Sequence, residues 1–356
     1  LYPMVTMNGE ECHNEWEITF EEIHRNGAMV FAIHNYIRYT GDEAYMAEGG
    51  WEVILGVARF WAQRVNWSEA KKAWVILGVT GPNEYENNVN NNWYTNYLAA
   101  WCLKRACTAL DWLHANAPEH LVNTSDRWDF DEVQERQHWE AVSAGMYFPK
   151  LDGTKVFLQQ DGFMDKAQQM AADLPDAERP INQHWSWDRI LRSVFIKQAD
   201  TLQGLYFFEG EFDKETHREN FEFYEPRTVH ESSLSPCVHV VLAAKLGLED
   251  KAVEMYLRTA RLDLDDYNNE AYQGLHITSM AGTWMSVVEG SGGFRVVDSV
   301  PHFNPMLPKA WDHYAFHLHF RGRQLQVKVS TEGTQVVLQE GEPLHVVIDG
   351  EAVHLS

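Results

Sequence analysis

Trp93-Tyr-Thr-Asn-Tyr-Leu-Ala-Ala-Trp-Cys-Leu-Lys-Arg-Ala-Cys-Thr-Ala-Leu-Asp-Trp-Leu-His-Ala-Asn116 is the stretch on which the fold turns. Tyr97, Trp101, Leu103, Leu110 and Leu113 recur through it at helical spacing. Upstream, Asp42 to Arg64 follows a Thr-Gly turn and carries Trp51, Ile54, Leu55, Ala58 and Trp61 in the same pattern. Glu22 to Arg38 is apolar on more than one side, through Ile23, Met29, Val30, Phe31, Ile33, Tyr36 and Ile37. Downstream, the texture predicts helices near Asp129–Ser143, Arg189–Tyr206, Ser235–Leu246 and Glu249–Leu262. Ser235-Pro236 reads as a helix start, a capping hydroxyl followed by proline in the first turn. Long apolar helices joined by loops of aromatics and amides point to a helical toroid, with a pocket built from loops at one end. Periodicity leaves a plain helical bundle open.

After about Lys309 the period changes. His317-Leu-His-Phe-Arg, Gln324-Leu-Gln-Val-Lys-Val and Thr334-Gln-Val-Val-Leu alternate, punctuated by Gly322, Gly333 and Gly341. His345-Val-Val-Ile closes on Asp349-Gly350, a hairpin-turn pair. The expected division is a helical domain over 1–308 and a small antiparallel β domain over 309–356.

The chain has 356 residues, enough for a large core and roughly two or three domains. Its 29 Lys and Arg against 52 Asp and Glu give −23. Such a surface repels nucleic acid and anionic lipid, so neither is expected as a partner. The 14 Trp, 14 Tyr and 17 Phe mostly serve packing, yet many sit among Asn, Gln, Asp and Glu, where flat faces beside fixed polar groups suit sugars. Cys12, Cys102, Cys107 and Cys237 form no Cys-x-x-Cys pair and read as reduced thiols in a cytoplasmic setting. No stretch has the length and apolarity of a membrane span. Leu-Tyr-Pro-Met-Val-Thr at the start reads like the middle of a protein, so a fragment is expected.

The densest polar segment is Thr80-Gly-Pro-Asn-Glu-Tyr-Glu-Asn-Asn-Val-Asn-Asn-Asn-Trp-Tyr-Thr-Asn. A Gly-Pro turn leading to Glu84 can present a carboxyl at a pocket mouth, and a general acid for glycoside cleavage needs such a carboxyl near apolar side chains. An Asn-rich loop that merely caps the next helix is the plainer reading. Tyr224-Glu-Pro-Arg-Thr-Val-His-Glu-Ser-Ser-Leu-Ser-Pro sets hydroxyls before a helix with Arg227 and His230 nearby, which suits an anion. Gly274-Leu-His-Ile-Thr-Ser-Met-Ala-Gly-Thr-Trp offers a second cluster of hydroxyls with His276. Lys197-Gln198-Ala199-Asp200 falls in the helix predicted over Arg189–Tyr206, and Gln160-Asp161-Gly162 and Trp185-Ser-Trp-Asp188 are polar-aromatic pieces of the kind that meet sugars. The acidic run Asn8 to Glu17 lacks standard metal-ligand spacing, so no metal is expected.

Taken in order, these segments resemble glycoside hydrolase family 65, nearest its maltose-cleaving phosphorylase branch. The resemblance rests on Thr80 to Asn92, Lys197-Gln-Ala-Asp, Tyr224 to Pro236 and His276-Ile-Thr-Ser-Met-Ala-Gly-Thr-Trp. It implies a mainly α (α/α)6 barrel, incomplete here at its N-terminal side, followed by the β domain. It implies an enzyme of the glycosyltransferase type that needs no cofactor and uses inorganic phosphate as co-substrate. Glu84 matches the general acid. Ser232, Ser233, His276 and Ser279 fall where the family binds phosphate, Lys197 and Gln198 where it contacts sugar. His13, Asn14 and Glu15 lie where a family loop helps to choose the acceptor. Glu86 departs from the His of many relatives. The upstream half of such an enzyme is absent, so the chain is expected to need it, and the resemblance implies a homodimer. The expected reaction is inverting phosphorolysis, maltose and phosphate giving β-D-glucose 1-phosphate and D-glucose. Phosphorolysis of trehalose or kojibiose, hydrolysis with Glu231 as base, and non-catalytic carbohydrate binding are the alternatives.

Overall fold

A computed structural model of the protein describes residues 1–12, 18–121 and 128–356. Contacts divide them into two units, Leu1–Ile37 with Asp42–Ala167, and Arg38–Gly41 with Gln168–Ser356.

The first unit is built on helices α1 (His24–Thr40, whose last residues fall in the second unit), α2 (Trp51–Arg64), α3 (Trp93–Asn116) and α4 (Glu132–Ala144). In α2, Trp51, Ile54, Leu55, Ala58 and Trp61 are all buried, as their spacing predicts. The segment from Asp42 is not one helix: a π turn over Met46–Gly50 precedes α2. α3 packs against both α2 and α4 and buries Trp93, Leu98, Leu103 and Leu110 completely. Each such side chain contributes roughly 1.5–3 kcal/mol of hydrophobic stabilisation. Asn92 caps α3, its Oδ1 accepting Thr95 N–H at 2.8 Å. A short hairpin, β1 (Asn66–Ser68) with β2 (Ala73–Val75), feeds the polar segment that begins at Thr80.

The longer helices of the second unit are α5 (Thr201–Phe207), α6 (Lys214–Tyr224), α7 (Ser235–Leu246), α8 (Glu249–Ala260) and α9 (Ile277–Met285). Ten of the twelve residues of α7 are buried, so it is a central helix. Gly247 ends it in the left-handed region at φ 76°. α9 crosses α7 at Gly282, where a Cβ would come within 2.8 Å of Cys237 Cβ. The helix expected over Arg189–Tyr206 is broken. Residues 192–200 leave the helix after Trp187–Leu191 because their backbone pairs elsewhere, with Ile196 N–H on Arg227 O (3.0 Å) and Val229 N–H on Ile196 O (2.9 Å).

The β region follows from Arg295. β5 (His313–Phe320), β6 (Arg323–Ser330) and β7 (Gly333–Glu340) form an antiparallel sheet. A second sheet has the order β3 (Arg295–Val297), β4 (Val300–Phe303), β8 (Leu344–Ile348), β9 (Glu351–Leu355), with β4 and β8 parallel. Tyr314, Phe316, Leu318 and Phe320 point inward from β5 while the residues between them are exposed. They meet Leu325, Val327 and Val329 of β6 in one core. Asp349 and Gly350, both at positive φ, turn β8 into β9, as read from the sequence.

Candidate active site

In the first unit, the loop after Val79 is pinched at its base. Val79 and Val89 exchange both backbone hydrogen bonds, at 2.9 and 2.8 Å. Glu21 fastens the loop from outside, its Oε2 accepting from Thr80 Oγ1 (2.8 Å) and Asn88 N–H (2.6 Å). At the tip, Asn83 Oδ1 accepts Tyr85 N–H at 3.2 Å and Asn83 O accepts Glu86 N–H at 3.2 Å, an Asx-type turn. Asn83, Tyr85 and Glu86 are buried, and only Glu84 of the four reaches the surface. The turn thus leaves Glu84 partly exposed and buries its neighbours.

Glu86 is held from below, with Lys166 Nζ 2.5 Å from each carboxylate oxygen. Burial pushes Glu86 above the ordinary carboxylate value, against the opposing charge of Lys166. The asparagines that follow are scaffold as well as caps. Asn90 Oδ1 accepts Gly78 N–H (3.1 Å), Asn91 Nδ2 donates to Asp161 Oδ2 (2.7 Å), and Asn96 Nδ2 donates to Tyr147 O (2.8 Å). The plain capping reading of this loop is therefore partly right, and it is what fixes the turn. Trp93 lies beneath, stacked on Phe157 at 4.6 Å between centroids.

The second unit gathers the later motifs. Lys197 and Gln198 lie in a bend just after Ile196, whose backbone pairs with residues 227–229, and not on a helix. Lys197 is partly exposed and Gln198 buried. Ser233 Oγ lies 3.2 Å from Thr278 Oγ1, which joins the hydroxyls before α7 to those at the start of α9. Ser232 Oγ accepts Leu234 N–H at 3.2 Å and shapes the turn into α7. Ser279 is buried and donates its hydroxyl to Thr259 O (2.7 Å), tying α9 to α8.

Ser235 does not cap α7. Its hydroxyl instead meets His230 Nδ1 at 2.8 Å, inside the protein. His230 and Arg227, read from the sequence as flanking an anion, face the interior: His230 packs edge-on to His239 with centroids 4.5 Å apart, and Arg227 lies over Phe223. Glu231 is buried too, its Oε1 accepting Ile181 N–H at 2.9 Å. His276, by contrast, is partly exposed. Sequence reading missed its partner, Asp263, whose Oδ1 lies 2.5 Å from His276 Nδ1. The candidate acceptor residues His13, Asn14 and Glu15 lie outside the described residues.

This set of motifs has counterparts in known proteins. Residues 1–285 match the Glycosyl hydrolase family 65 central catalytic domain, and residues 294–355 match the Glycosyl hydrolase family 65, C-terminal domain. The chain belongs to glycosyl hydrolase family 65. Its family 65 relatives include the maltose phosphorylase of Bacillus subtilis, 54% identical over 356 residues, which are 100% of this chain and 46% of that protein. The α,α-trehalose phosphorylase of Thermoanaerobacter brockii is 34% identical over 97% of this chain and 45% of its own length. The kojibiose phosphorylase of Halothermothrix orenii is 34% identical over 88% of this chain and 40% of its own. The chain therefore spans less than half the length of these curated relatives. A solved structure of a candidate kojibiose phosphorylase from the human microbiome superposes with a TM-score of 0.92 at 32% identity, covering 99% of this chain and 52% of that one. The family 65 likeness gives the fold class: part of a mainly α (α/α)6 barrel with a C-terminal β domain. No helix among the described residues is long and apolar enough to cross a membrane. All four cysteines are free thiols.

Proposed function

We propose that the enzyme of which this chain forms a part cleaves maltose with inorganic phosphate, giving β-D-glucose 1-phosphate and D-glucose. Glu84 protonates the glycosidic oxygen while phosphate attacks the anomeric carbon from the opposite face, so one displacement inverts the centre. Ser232, Ser233, His276 and Ser279 belong to the phosphate side, Lys197 and Gln198 to the sugar, and His13, Asn14 and Glu15 to acceptor choice. The reaction needs no cofactor. The helical portion, 1–308 in the division read from sequence, carries this chemistry, and 309–356 is the accessory β domain. We place the enzyme in the cytoplasm as a homodimer.

The observation that carries the reading is the placement of carboxylates against hydroxyls. An inverting hydrolase needs a second carboxylate to activate water. Glu231, the carboxylate nearest the serine pair in sequence, is buried on Ile181 N–H and Asp263 is bound to the His276 ring, whereas Ser233 and Thr278 bring their hydroxyls together at the start of α9, which His276 opens. Hydroxyls and an imidazole at a helix start suit an oxyanion that is already nucleophilic. The choice of maltose draws on the 54% identity to the Bacillus subtilis protein. Initial rates with maltose, trehalose and kojibiose, each with phosphate, test it on the complete enzyme. Maltose should be turned over at least about tenfold more efficiently than the others; a preference for trehalose or kojibiose would overturn the substrate while leaving phosphorolysis standing.

A further inference from the structure

Asp263 sits in the short helical turn Leu262–Asp265, thirteen residues before His276, and grips it twice. Its Oδ1 lies 2.5 Å from His276 Nδ1 and its Oδ2 accepts the His276 backbone N–H at 2.9 Å. One carboxylate therefore fixes both the ring and the backbone of the residue that opens α9. Facing a carboxylate, Nδ1 must carry its proton, which leaves Nε2 on the far edge of the ring. Among the described residues Nε2 has no hydrogen-bond partner. The pair is neither sealed nor free: the two side chains are 22% and 17% exposed. Two residues on from His276, Thr278 holds its hydroxyl 3.2 Å from that of Ser233 in the turn before α7. The Asp263 carboxyl is held below the usual carboxylate range, chiefly by its hydrogen bond from the His276 ring.

We propose that Asp263 is a positioning residue for phosphate capture, locking His276 with Nδ1 protonated and Nε2 turned to the oxyanion. The inference rests on the reading that His276 holds phosphate. With Nδ1–H held by the carboxylate behind it, the ring fixes Nε2 as an acceptor where a phosphate P–OH can donate to it. A lone imidazole on a mobile loop would have to order itself on each binding event.

The test is a double-mutant cycle in the complete enzyme, with Asp263→Asn, His276→Ala and the double variant. Asp263→Asn should raise the phosphate KM by about 10–100-fold, the scale of one charge-assisted hydrogen bond, and move the maltose KM by less than about twofold. Asp263→Glu should restore part of the loss. In the His276→Ala background, Asp263→Asn should add nothing further. Equal effects in both backgrounds, or equal rises in both KM values, would assign Asp263 to structure alone and overturn the proposal. A normal phosphate KM in His276→Ala would instead overturn the phosphate reading of His276 itself. Should Asp263→Asn not fold, ¹⁵N–¹H correlation of the His276 ring in the unaltered enzyme decides the case, with a proton on Nδ1 supporting the lock and one on Nε2 alone overturning it.

Discussion

At Glu84 the backbone does the selecting. Asn83 closes the turn with its own side chain, Tyr85 and Glu86 are 2% exposed, and Glu84 between them stays partly exposed. An acid presented this way can give its proton to a leaving oxygen, and general acid catalysis is typically worth about 10²–10⁴-fold. Glu84→Gln should therefore lower kcat by at least about 10²-fold with little change in thermal midpoint; near-normal turnover would remove Glu84 from the mechanism. The turn was legible because Gly-Pro-Asn-Glu-Tyr is dense in turn-forming residues and ends in a carboxylate. Asp263 was not, because Leu262-Asp-Leu-Asp-Asp266 offers three carboxylates and local spacing prefers none. Only the path of the chain brings one of them to His276. For the same reason Ser235, a good capping residue by type, is spent on His230, which tertiary packing places 2.8 Å away.

α9 shows what an element inherits from its sequence. Ile277-Thr-Ser-Met-Ala-Gly-Thr-Trp-Met285 is apolar or small all round, the texture of a helix buried on every side. One face is indeed packed, with Ser279 on α8 and Gly282 on α7. On the other face Ile277, Met280 and Trp284 are 66%, 47% and 51% exposed. Contiguous apolar surface of this kind promotes association. The 356-residue chain on its own should self-associate in light scattering. Ile277→Ser with Met280→Ser should reduce that while changing stability by no more than about 0.5 kcal/mol, as for surface positions generally. Unchanged scattering would show that this face is not responsible. Elsewhere, periodicity placed α2, α3 and α7 well because their apolar residues pack at the spacing their sequence sets. It failed over Arg189–Tyr206, where pairing of Ile196 with residues 227–229 overrides local helical texture. The alternating strands β5, β6 and β7 were visible, whereas β3 and β4, of three and four residues, are too short to alternate legibly.

For the molecule as a whole, buried imidazoles set the response to acid. His239 is fully buried with Nδ1 donating to Ser235 O at 3.0 Å, and its neighbour His230 is 6% exposed. Burial lowers His239 below the ordinary 6.5. Burial, then the charges of His239, Arg258 and Lys251, lowers His230 further. Groups depressed in the folded state favour folding above their unfolded value, so this contribution is complete above about pH 6.5 and is lost as pH falls through the folded values. Urea midpoints measured from about pH 7.5 to about pH 4.5 should fall on the acid side, and His239→Gln should flatten that fall. A slope unaffected by the substitution would place the acid sensitivity elsewhere. The charge of −23 was legible from composition, but the address of these histidines in the core was not. The central claim, that phosphate and not water takes the glucosyl group, is tested most directly by following maltose with the complete enzyme by ³¹P NMR. With phosphate, β-glucose 1-phosphate should form one for one with glucose, and without phosphate no glucose should be released. Glucose released at an undiminished rate in phosphate-free buffer would contradict it.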